Sequence, residues 1–137
     1  MESDKLFDKP KLLIIEDDYE NQILLKAYLK KNFSVTICDS EETFYECLKN
    51  DTYDIFLVDI ALRSGKNGLD LTRELRATEN YASAPIICLS AHVFPADREN
   101  AFKAGVDAFL PRPIFNKDLL AALVEVYKKR TGKDLNV

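Results

Sequence analysis

Ile55-Phe56-Leu57-Val58-Asp59 runs four bulky apolar side chains without interruption into a carboxylate. So short and continuous an apolar run marks a strand buried on both faces, the usual condition in a parallel sheet covered by helices. Three other runs share the pattern. Leu12-Leu13-Ile14-Ile15 leads into Glu16-Asp17-Asp18, Ile86-Ile87-Cys88-Leu89 into Ser90, and Ala108-Phe109-Leu110 through Pro111 to Arg112-Pro113. All strands of a parallel sheet end on the same edge, so these acids, hydroxyl and cation are expected to meet in one crevice.

Segments of helical period separate the runs. A strand over about 11–16 is followed by a helix over 19–32, with Leu24, Leu25, Tyr28 and Leu29 on one face. Residues 34–38 form a less apolar strand suited to a sheet edge. Ser40 then caps a helix that buries Phe44, Leu48 and Cys47. The strand over 54–59 precedes a helix over 68–78 presenting Leu69, Leu71, Thr72 and Leu75. Pro85 enters the fourth strand, and a helix runs from Pro95 to Gly105, with proline first and glycine past the end. A fifth strand over 106–110 leads to a helix over 115–131, carrying Leu119, Leu120, Leu123, Val124 and Tyr127 and stopped by Gly132. Strand and helix alternate five times, which predicts an α/β, doubly wound, five-stranded parallel sheet flanked by five helices. The expected layout is a flexible leader over 1–10, one domain over 11–131 and a tail over 132–137.

Composition narrows the function. A net charge of -4 argues against a nucleic-acid surface. The basic clusters, Lys30-Lys31 and Lys128-Lys129-Arg130, fall at helix ends, where cations suit the helix dipole. No apolar run is long enough to insert in a membrane, and nothing resembles a signal peptide. The three cysteines, Cys38, Cys47 and Cys88, lack metal-type spacing; Cys38 and Cys88 lie in apolar stretches and read as small buried thiols of a reducing compartment, so a cytoplasmic location is expected.

Converging carboxylates repel, so at Glu16, Asp17 and Asp59 either one stays protonated or a cation neutralises them. An oxygen-only, partly open site suits Mg²⁺, which keeps several waters and takes carboxylates plus a phosphate oxygen. Asp18 has a simpler use as the cap of the helix after it. Asp59 does not, since it is a charge ending a very apolar strand.

With those residues in view, the stretch from about Lys11 to Arg130 resembles a response-regulator receiver domain. The resemblance lies in Ile15-Glu16-Asp17-Asp18, Leu57-Val58-Asp59-Ile60, Asn67-Gly68-Leu69, Leu89-Ser90-Ala91-His92, Lys103-Ala104-Gly105-Val106-Asp107 and Leu110-Pro111-Arg112-Pro113-Ile114. It implies a flavodoxin-like sheet of order 2-1-3-4-5 and Mg²⁺-dependent phosphorylation of Asp59 by a phosphohistidine on a sensor histidine kinase or phosphotransfer protein. It further implies Asp17 as direct metal ligand, Glu16 as its acidic neighbour, and the Ala61 backbone carbonyl completing the metal shell. Ser90, with Ala91 beside it, matches the hydroxyl that turns inward to the phosphoryl oxygen. His92 and Ala61 match positions that modulate loss of the phosphoryl group. Such a domain assists its own phosphorylation and is not a dedicated enzyme. It signals through noncovalent contacts with an output protein or a second copy, by way of the last two helices and the fifth strand.

The chain departs from the family at identifiable places. Arg112 stands where receivers usually carry lysine, and a planar guanidinium differs in shape from a point-charge ammonium. It either binds phosphate bidentately or is held away from Asp59 by its size. Phe109 replaces a tyrosine whose ring swings inward on activation, so its signal must be read from packing alone. The loop after Asp59 offers Arg63 and Lys66 as cations that could reach a phosphate or stay solvated. The competing reading is a pseudo-receiver, a protein-binding module with weak or no phosphorylation because of Arg112. No attached effector is expected, since only residues 131–137 follow the last helix; a free-standing regulator, slightly favoured by Met1, and a receiver excised from a larger hybrid histidine kinase both stay open. An aspartyl phosphatase would need a second acid where Ala61 stands, and no glycine-rich turn follows the first strand to bind a dinucleotide.

Overall fold

The computed structural model describes residues 9–62 and 65–135. Five parallel strands form one sheet in the order β2-β1-β3-β4-β5. They are β1 (Lys11–Ile15), β2 (Ser34–Cys38), β3 (Ile55–Asp59), β4 (Ile86–Ser90) and β5 (Ala108–Pro111). The helices between and after them are α1 (Tyr19–Leu29), α2 (Glu41–Asn50), α3 (Gly68–Ala77), α4 (Pro95–Ala104) and α5 (Asn116–Thr131).

The continuous apolar runs are explained by two cores, one on each face of the sheet. Leu13, Ile15, Phe56, Val58, Ile86 and Cys88 point to one face, where α2, α3 and α4 add Phe44, Leu71, Leu75 and Ala101. Leu12, Ile14, Ile55, Leu57, Ile87 and Leu89 point to the other, against Leu25 and Leu29 of α1 and Leu119 and Leu123 of α5. Alternate residues of each central strand thus serve opposite cores, and none of these strands has a polar face. β2, by contrast, has only Cys38 fully buried, as an edge strand should. Burial also pushes the Cys88 thiol up to about 12, so it stays protonated.

Local chemistry sets the ends. Asp18 caps α1 by accepting from the Asn21 N–H. Ser40 and Thr43 form a reciprocal capping box at α2. Asn67 caps α3, its Oδ1 accepting from the N–H groups of Leu69 and Asp70 at 2.9 Å each.

Some boundaries differ from those expected. α1 closes at Leu29 and not near 32, because the Asn32 and Phe33 N–H groups both turn back to the Leu29 carbonyl. Leu24, expected on the buried face, is 44% exposed, because the buried line follows Leu25 and Leu29. Cys47 and Leu48 are only partly buried against their core. β5 begins at Ala108 and not at Val106. Gly105 adopts φ +114° beyond α4, and the Val106 N–H is spent on the Ala101 carbonyl. A single 3₁₀ turn at Glu79–Tyr81, absent from the periodicity, buries Tyr81, whose hydroxyl accepts from the Tyr53 N–H at 3.3 Å.

Candidate functional site

The three acids meet. Oxygens of Glu16, Asp17 and Asp59 lie within 4.8 Å of one another at the carboxyl edge of β1 and β3. Parallel pairing causes this, since Ile15 is aligned with Val58 and the next residue of each strand is the acid. Glu16 is fully buried and Asp59 is 8% exposed.

Each is tied to backbone. Glu16 Oε2 accepts from the Asp18 N–H at 3.2 Å, and Asp59 Oδ1 accepts from the Ala61 N–H at 3.2 Å. The Gln22 side-chain amide donates to the Glu16 carbonyl at 2.7 Å. Gln22 is a support the sequence reading missed as such; its signal was its place four residues past the capping Asp18, one turn into the helix.

The cation is there as well. Arg112 follows β5, and its backbone N–H donates to the Ser90 carbonyl at 2.9 Å. The Arg112–Pro113 peptide is cis. Its Nη2 makes a close ion pair with Glu16 Oε1 and stands 3.8 Å from Asp59 Oδ1. Burial raises the Glu16 carboxyl to about 7, helped by the Asp59 charge and opposed by Arg112. The guanidinium therefore reaches the pocket but leans on Glu16 more closely than on Asp59.

Ser90 is 2% exposed at the end of β4. Its hydroxyl donates to the His92 carbonyl at 2.9 Å and accepts from the His92 N–H at 3.0 Å, so it is engaged within its own loop. Ala91 and His92 are exposed on that loop. Phe109 is 7% exposed and belongs to the core that holds Cys88, Ala101 and Ala104, so its ring is packed inside.

Lys66 does not serve the pocket. Its ammonium sits 2.9 Å from Glu74 on α3 and 2.9 Å from the Tyr45 hydroxyl on α2. Arg63, the other loop cation, lies outside the described residues.

An all-oxygen donor set of this spacing fits a hard divalent ion such as Mg²⁺. Gly68 lies directly against the backbone of Asp59. A Cβ there would collide with the Asp59 carbonyl oxygen and lie 2.5 Å from Val58 Cγ1, which leaves glycine as the side chain that lets α3 start against β3.

Doubly wound α/β sheets bind their ligands outside the carboxyl ends of the strands, and it is there that the acids, the hydroxyl and the cation stand. The response regulator receiver domain model matches residues 12–124, and the chain belongs to that family. Among curated proteins it is similar to the transcriptional regulatory protein CpxR of Klebsiella pneumoniae, at 32% identity over 87% of this chain and 50% of the relative. The chain thus spans about half the length of the curated relatives it matches. Among solved structures it resembles the receiver domain of the sensor histidine kinase PA1611 from Pseudomonas aeruginosa PAO1, which has magnesium in its active-site cleft. That match has 30% identity and a TM-score of 0.75, covering 90% of this chain and 98% of that one. A CheY-like receiver from Methanospirillum hungatei JF-1, at 20% identity, TM-score 0.80 and coverage of 90% and 97%, shares the fold.

Proposed function

We propose that this receiver domain takes a phosphoryl group on Asp59 from a phosphohistidine of a sensor histidine kinase or phosphotransfer protein. The observation that carries this reading is the meeting of Glu16, Asp17 and Asp59 within 4.8 Å of one another at the sheet edge. An Asp59 oxygen attacks phosphorus, the new bond is an acyl phosphate, and the imidazole nitrogen of the donor leaves. Mg²⁺, held by Glu16, Asp17, Asp59 and the Ala61 carbonyl, would supply positive charge to the phosphoryl oxygens. The Ala61 N–H orients the acceptor carboxylate, which leaves its other oxygen for attack. Ser90 would exchange its turn with His92 for a phosphoryl oxygen, and Arg112 supplies the cation across the pocket.

Release of the Ser90 turn would alter the loop ahead of α4 and so the surface of α4, β5 and α5. A groove of about 340 Å³ lies there, lined by Arg98, Phe102, Phe109, Ala122, Glu125 and Val126. An output protein or a second copy would read that face. The domain is a signalling module of the cytoplasm and not a dedicated enzyme; among the described residues no helix is long and apolar enough to cross a membrane.

The Arg112–Glu16 pair favours a second reading, a protein-binding pseudo-receiver with little phosphorylation. One experiment separates the two. Incubation with Mg²⁺ and acetyl phosphate should add a phosphoryl mass that is acid-stable, base-labile and absent from Asp59→Asn. No increment at any donor concentration leaves the pseudo-receiver, and an increment that survives in Asp59→Asn moves the acceptor elsewhere.

A further inference from the structure

We infer that Arg112 is a built-in counter-cation of the carboxylate pocket, that it competes with the divalent ion for Glu16, and that it thereby sets the domain's metal affinity. The inference rests on the phosphoacceptor reading for its purpose but not for its test.

Glu16 has no exposed surface, and its ionised carboxylate, beside two others, is stable only with a positive partner, which the Arg112 guanidinium supplies. Each of its oxygens already has a partner. Oε2 accepts from the Asp18 N–H, and Oε1 holds the Arg112 guanidinium. A metal that draws on Glu16 through Oε1, directly or through a bound water, must take the oxygen that the guanidinium holds, and one that draws on Oε2 must sit beside that guanidinium's charge.

The geometry makes this a competition and not a shared arrangement. Mg²⁺ demands near-octahedral ligands and keeps several of its waters. A guanidinium is a flat fork of five donors and cannot be compressed as a lone ammonium can. The Arg112 backbone is pinned to the Ser90 carbonyl, and only 17% of its side chain is exposed. Its head group must swing off Glu16 for the hydrated ion to enter. Once displaced, it keeps its charge and is within reach of Asp59, 3.8 Å away even now. Metal entry would thus free the guanidinium for the oxygens of an incoming phosphoryl group, for which its fork is suited. Metal and phosphoryl binding are then coupled in the same direction, each favouring the displaced Arg112.

Mg²⁺ binding is measured by calorimetry on the full chain, with no phosphodonor present. Arg112→Gln removes the charge and should bind Mg²⁺ at least tenfold more tightly than the unaltered protein, with Arg112→Lys between them. Equal or weaker binding by a folded Arg112→Gln overturns the competition. Should that variant fail to fold, the unaltered protein still answers. The Arg112 Nε–Hε signal in a ¹⁵N spectrum should shift as Mg²⁺ is added, and no movement at saturating Mg²⁺ overturns the proposal equally. Because no phosphate is present, these outcomes are independent of whether Asp59 is the acceptor.

Discussion

Asp59 owes its position to a neighbour with no side chain. Gly68 begins α3 directly against β3, its N–H donating to the Ile60 carbonyl at 3.1 Å. A methyl group there meets main-chain atoms of Asp59 and the Val58 side chain, and backbone cannot step aside as a flexible side chain can. Gly68→Ala should therefore cost about 2–3 kcal/mol of stability, as overpacking in a tight core does. It should also slow acquisition of the phosphoryl group, because relief of the clash moves the acceptor. Urea denaturation with a phosphorylation time course checks both, and a change under 0.5 kcal/mol, the ordinary scatter of neutral substitutions, would show that the helix retreats freely.

Elements are held together at the opposite edge of the sheet by one charged cluster. Arg76 of α3 donates to the carbonyls of Gly105 at 2.9 Å and Ala84 at 2.7 Å, and pairs with Asp107 at 3.1 Å. Asp107 in turn accepts from Arg130 of α5 at 2.8 Å and from the Ile86 N–H at 2.9 Å. One carboxylate so joins α3, α5 and the entries to β4 and β5. Arg76→Ala would leave inward carbonyls without donors and Asp107 half-neutralised, and should destabilise by about 3 kcal/mol. In a double-mutant cycle with Asp107→Asn the two losses should fall well short of adding; strict additivity would mean the pair does not interact. The sequence could not announce this cluster, because residues 76, 107 and 130 share no periodicity and meet only after the crossovers are made. What it did disclose follows the same logic. Strands and acids were legible because each apolar run stops at its polar residue, and parallel pairing then aligns the ends without further information. Caps at Asp18 and Ser40 are local and readable, whereas the cap at Asn67 was passed over although it is as local. Leu24 and the start of β5 were misjudged, since helix rotation and the Gly105 turn are decided by packing. The choice of Arg112 between Glu16 and Asp59 is likewise a matter of contact, invisible to residue type.

Across the whole molecule, the site's fixed and movable parts fall on strands of unequal rank. Glu16 directly follows β1 and Asp59 ends β3, strands paired on both sides and with apolar side chains at most 1% exposed. Arg112 follows β5, an edge strand in which only Phe109 is buried. Edge strands with solvent on one side open locally at less cost than strands released only by global unfolding. The carboxylates are thus set on strands paired on both sides, and the cation follows a strand paired on one side only. Native-state hydrogen exchange should show this ranking. Hydrogen-bonded amides of β1, β3 and β4 should exchange at the rate of global unfolding, and those of β5 and β2 at least about tenfold faster, a difference of about 1.4 kcal/mol. If β5 proved as protected as β3, the Arg112 main chain would be as rigid as that of the acids, and any movement of the guanidinium would have to come from its side chain alone.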